Sequence, residues 1–136
     1  MNARAPADAD DLRAMGSVLS HVLAGSPLVE FAFGHGSFFA GLPYHDVDVA
    51  VQVPRDQAVD LRALGDLAAR CEQALGRPVD VHALNDATPG FRKAATEGIL
   101  LWARDPESAL LYAELLQRMA WDWRSLQDQV IRDLGP

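Results

Sequence analysis

The chain has 136 residues, 49% of them hydrophobic, with 12 basic against 19 acidic side chains and a formal net charge of −7. That length suits one domain, taken here as residues 1–136, and the acidity speaks against neutralising nucleic-acid phosphates or docking on anionic lipid. The single cysteine, Cys71, has no partner within the chain, and no apolar run approaches the ~18 residues of a membrane span. A reducing, cytoplasmic setting is expected, without direct nucleic-acid or membrane contact.

Residues 1–7 are Ala- and Pro-rich, lack the features of a signal peptide and are expected to be disordered. Asp8 or Asp10 then caps a predicted helix whose Leu12, Met15, Leu19 and Val22 recur at helical spacing until Gly25-Ser26-Pro27. Residues 28–33 are apolar and β-favouring, a predicted strand. Residues 34–45 hold three glycines and one proline, the composition of a loop.

Residues 46–53 alternate strictly, with Val47, Val49 and Val51 on one face and Asp46, Asp48 and Ala50 on the other. Asp56 is the expected cap of a second helix, with an apolar stripe of Leu61, Leu64, Ala68, Cys71 and Leu75 and a stop at Gly76. A third strand over 79–84 sets Val79, Val81 and Ala83 against Asp80 and His82. A turn at 85–89 leads into a short helix to about 97. Residues 98–103 read equally as a strand or a buried turn.

Asp105-Pro106 opens a final helix to about residue 134. Ala109, Tyr112, Leu116, Met119, Trp123, Leu126 and Val130 make one face of it. Trp121 falls off that face and is a candidate partner contact. The order of elements specifies an α/β domain with a small mixed sheet flanked by helices and closed by a long C-terminal helix.

Asp46 and Asp48 are the informative residues. Period-two geometry sets their carboxylates on one face, about 6.5–7 Å apart. Aspartate is disfavoured in strands, and two such charges repel unless a cation lies beside them. Asp80 repeats the arrangement in the next strand. If the strands are neighbours, the three carboxylates Asp46, Asp48 and Asp80 converge on a set of hard oxygen ligands suited to Mg²⁺ with substrate phosphates. Gly34, Gly36, Ser37 and Gly41 lie in the preceding loop, where backbone N–H groups can approach a phosphate.

His45 and His82 add imidazoles near these acids, a combination that also suits Zn²⁺ or Mn²⁺. The plainer expectation makes His45 a loop-end residue and His82 a solvated residue at the edge of the site. Arg55, Arg77, Arg92 and Lys93 are available to phosphate but are expected at the surface. Cys71 falls on its helix's core stripe, where packing is expected rather than reactivity.

The segment FAFGHGSFFAGLPYHDVDVAV resembles the Gly-Ser loop and D-x-D strand of the nucleotidyltransferase superfamily that includes DNA polymerase β. With PVDVHALN and EGILLWARDPE further on, the chain from about residue 28 to 123 is similar to minimal nucleotidyltransferases of the MntA type, antitoxins paired with HEPN ribonuclease toxins. The resemblance implies a polymerase β-like fold, metal ligation by Asp46 and Asp48, and a third carboxylate, Asp80, that binds metal and activates the attacking hydroxyl. It further implies Mg²⁺ as cofactor and ATP as co-substrate. AMP would pass to a tyrosine of a HEPN toxin held in a hetero-oligomer.

The loop departs from the family's pattern. Counting back ten residues from Asp46 leaves His35 where serine is expected, whereas pairing Gly36 with Ser37 shortens the loop by two and keeps Gly41 at the family's second glycine. In both registers the loop arginine is missing and Phe38 and Phe39 stand in its region. That departure carries an alternative, an antitoxin with weakened or lost catalysis that neutralises its partner by binding alone. A small-molecule acceptor such as an aminoglycoside would require a second domain to hold it.

Overall fold

The computed structural model describes residues 3–133, with the side chains of 120–124, 126 and 127 excepted. The readings for Trp121, Trp123 and Leu126 therefore lie outside the described residues. Helix α1 (Ala9–Ala24) is capped by Asp8, whose carboxylate accepts from the Asp11 N–H at 2.8 Å. Arg4, expected in a disordered tail, instead exchanges two backbone hydrogen bonds with Tyr44, at 2.8 and 3.2 Å.

The first strand, β1 (Phe31–His35), begins three residues later than its composition suggests. The cause is a turn: Ser26 accepts from the N–H of Leu28 through its hydroxyl and from that of Val29 through its carbonyl. The loop after β1 contains a single helical turn, α2 (Gly36–Phe39), and leads into β2 (Val47–Gln52).

Helix α3 (Leu61–Leu75) corrects two expectations. Its cap is Asp60, not Asp56: the Asp60 carboxylate accepts from the N–H groups of Arg62 and Ala63. Its buried stripe is Leu64, Leu67 and Cys71, while Leu61 is 80% exposed because it stands at the first, uncovered turn. Burial pushes the Cys71 thiol up to about 11, so packing is its role.

After β3 (Val79–Ala83), α4 (Pro89–Thr96) is capped by the Thr88 hydroxyl, and the ambiguous 98–103 segment is strand β4 (Ile99–Ala103). Helix α5 (Pro106–Asp133) closes the described chain. Ala109 and Leu116 are buried on it, but Met119 and Val130 are exposed, so among the described residues its predicted face is covered as far as Leu116 and open at Met119 and Val130.

The four strands form one sheet in the order β3-β2-β1-β4. β1 is antiparallel to both β2 and β4, and β2 is parallel to β3, with α3 as the crossover. One face carries the larger core: Val47, Val49, Val51 and Val53 are fully buried together with Leu19 and Leu23 of α1 and Leu67 of α3. The other face carries a smaller cluster, Phe31, Phe33, Ala50, Leu84, Ala95 and Ala109, under α4 and α5. At the end of β2, Asn85 acts as a substitute strand residue, accepting from the Val53 N–H and donating to its carbonyl.

Candidate metal centre

Register builds the site. The parallel pair places Asp48 opposite Asp80 and Ala50 opposite His82, and the antiparallel pair places His35 opposite Asp48. Residues directly opposite share a face, so His35, Asp48 and Asp80 form a row across three strands, on the face with the smaller core. His82 follows Asp80 two residues along β3 and returns to that face.

Asp48, Asp80 and His82 each offer one ligand atom, and the three atoms lie within 4.8 Å of one another. The Nε2–H of His82 donates to Asp80 Oδ2 at 2.9 Å, and both side chains are about half exposed, 48% and 52%. Asp46 stands outside this group. It is exposed on the residue before β2, though its charge still reaches Asp48. His45 is also exposed and outside the group.

Partial burial holds the Asp48 carboxyl above the usual range, with Asp80 and Asp46 acting in the same direction and the two imidazoles opposing them. Burial lowers the affinity of His35 for a proton, while Asp48 works against that shift. A carboxylate destabilised by burial and like charge gains most from a bound cation. Two carboxylates and an imidazole, half open to solvent, fit a divalent ion that keeps further positions for water or phosphate.

Gly36 sets the approach of the loop. Its φ is +79°, and a Cβ added there would lie 2.3 Å from Asp48 Oδ2. Any side chain would thus occupy the space the carboxylate uses. At Gly34 an added Cβ would meet the Phe39 ring at 2.5 Å, so the loop folds directly over β1. Beyond this turn opens a cleft of about 350 Å³ lined by His35, Gly36, Ser37, Glu97 and Gly98 among others. Asp46, Asp48 and Asp80 are not among its lining residues.

The basic candidates lie elsewhere. Arg77 donates to the Tyr44 hydroxyl, and Lys93 pairs with Glu97. Arg55 and Arg92 line a second cleft with Tyr112, at the far end of β2. Two members of the acid site escaped sequence reasoning. Phe91 of α4 packs edge-to-face on both imidazoles, 5.4 Å from His35 and 5.8 Å from His82. Composition puts His35 in the glycine-rich loop, whereas it ends β1, on the same face as Phe31 and Phe33.

The family model described as "Polymerase beta, Nucleotidyltransferase" matches residues 18–107. Among solved structures, a chain from the tri-AMPylated Shewanella oneidensis HEPN toxin in complex with MNT antitoxin is similar at 21% identity, with a TM-score of 0.64. The alignment covers 90% of this chain and 98% of that one. A chain of the MntA-HepT toxin-antitoxin is similar at 19% identity and a TM-score of 0.63, covering 90% and 97%. A toxin-antitoxin structure with AMP-PNP gives 21% identity and a TM-score of 0.66, covering 88% and 97%. No curated protein matches the chain.

Proposed function

We propose, from the premise that this chain belongs to the polymerase β nucleotidyltransferase family, that it transfers AMP from ATP to a tyrosine hydroxyl of a HEPN-type toxin and so acts as the antitoxin of a two-protein module. The observation that carries the reading is the pairing of Asp48 with Asp80 on adjacent parallel strands beside a glycine that only a missing side chain allows. Similar folds occur in structures of a tri-AMPylated HEPN toxin with its MNT antitoxin and of a toxin-antitoxin with AMP-PNP, which supports the acceptor and the nucleotide.

In this reading Asp48 and Asp80 hold a divalent cation, Mg²⁺ for a nucleotide substrate, with Asp46 at the mouth of the site. When bound, that ion neutralises the triphosphate and lowers the pKa of the attacking hydroxyl. Gly34, Gly36 and Ser37 bring backbone against the phosphates, and the first-turn N–H groups of α2 have no intrahelical acceptor. The tyrosine oxygen forms a bond to the α-phosphorus, the α–β bridging P–O bond breaks, and pyrophosphate leaves. The phenolic proton passes to the Asp80 carboxylate, which is exposed and held by His82.

The test is incubation of the co-expressed pair with labelled ATP and Mg²⁺. Label should pass to the partner, and Asp48→Ala should lower the rate by at least about a hundredfold. Transfer that survives loss of both Asp46 and Asp48 would sink the reading.

A second reading, neutralisation by contact alone, is favoured by the loop's composition: residues 34–45 contain no arginine or lysine. It expects a complex on gel filtration that is indifferent to ATP and to Asp48→Ala.

A further inference from the structure

We propose that His82 is a nitrogen ligand of the metal centre, and that it makes the site bind Mn²⁺ in preference to Mg²⁺. The inference rests on the nucleotidyltransferase reading of the same acids and concerns which ion they hold. Three observations carry it.

The first is distance. His82 Nε2 and Asp80 Oδ2 are 2.9 Å apart. Adjacent ligands of an octahedral ion with bonds of about 2.1 Å stand about 3 Å apart, so neither atom has to move to share a cation. The proton that now joins them is exchanged for the ion.

The second is convergence. A ligand atom of Asp48, from the neighbouring strand, lies within 4.8 Å of both. The third donor of the compact group is therefore an imidazole, and Asp46 is outside it.

The third is fixation of the ring. Phe91 packs edge-to-face against His82 and, from the same position, against His35, whose buried Nε2 has no hydrogen-bond partner. A solvated edge residue would need no such support. Held imidazole is the form in which histidine serves as a ligand.

Oxygen-only sites suit Mg²⁺, whereas an imidazole adds affinity for first-row transition ions. Mn²⁺ among them retains the oxygen-rich octahedral coordination that phosphates require. The two half-exposed side chains leave positions open for those phosphates.

The experiment uses the full chain with Mn²⁺ alone as the probe. Pulsed electron paramagnetic resonance of the bound ion should show ¹⁴N coupling from a directly bonded imidazole. The coupling should vanish in His82→Ala and persist in His35→Ser. Calorimetry should show the Mn²⁺-to-Mg²⁺ affinity ratio falling at least about tenfold in His82→Ala.

Absence of ¹⁴N coupling in the parent protein overturns the proposal, and that measurement needs no variant. Equal losses of both ions in His82→Ala, or in His82→Gln should the alanine protein not fold, overturn it as well. Label transfer supported by Mg²⁺ without ¹⁴N coupling removes the histidine ligand and leaves the enzyme reading intact. Coupling without transfer under either ion does the reverse.

Discussion

On the face of the sheet covered by α1 and α3, Val47, Val49, Val51 and Val53 are fully buried, whereas on the opposite face of the same strands Asp48 is half-buried and Asp80 and His82 are exposed. Alternation along β2 thus divides its residues between two tasks. The valines lose water and hold α3 in place. The acids keep water, or a cation, and take their spacing from the strand pairing that the valines secure. A rigid scaffold on one side is what allows like charges to be held close on the other.

The largest expected effect tests the closed face. Leu67→Ala should cost about 2–5 kcal/mol of unfolding free energy in urea, since Leu67 is fully buried. On the open face, Asp48→Asn should leave stability at neutral pH equal or higher, because a carboxyl raised by burial is penalised when ionised. Label transfer should still fall at least about a hundredfold. A loss of stability in Asp48→Asn matching that of Leu67→Ala would erase the division between faces.

Gly36→Ala lies between the two cases. A positive φ costs a side-chain-bearing residue about 1–2 kcal/mol, and the new methyl would displace the Asp48 carboxylate. Thermal melting and metal affinity should both decline, the second without any change to a ligand. The smallest effect sharpens the closed face: Asp60→Ala should cost ~1 kcal/mol as a lost cap, and Asp56→Ala less than about 0.5 kcal/mol.

Much of this was legible because some residues carry their own geometry. The alternation of Val47, Asp48 and Val49 announces both a strand and the face of its acid, and Asp80 does the same in β3. Gly76 ends a helix, as its residue type announces.

The unreadable parts depend on contacts far along the chain. Asp56 and Asp60 are equally good caps by residue type, and only the turn from Pro54, whose carbonyl accepts from the Gln57 N–H, postpones the helix. Leu61 and Leu67 differ in burial because Leu67 joins the larger core cluster and Leu61, at the first turn of α3, does not, which no stripe reveals. The ambiguity of 98–103 ends when β4 pairs with β1.

The expected trio of aspartates turned on register. Pairing Asp48 with Asp80 admits His82 to the compact ligand group and leaves Asp46 before the strand, and the sequence holds no mark of which residue will stand opposite which.

The sheet order has one more consequence. β3 ends the sheet on one side, so its outer backbone has no partner strand within the described chain. Such an edge invites pairing with a second molecule, and charged side chains along it oppose that pairing. Asp80 and His82 are the charged and polar residues of this edge. The same two side chains that face the site are thus also the ones placed to oppose edge-to-edge pairing.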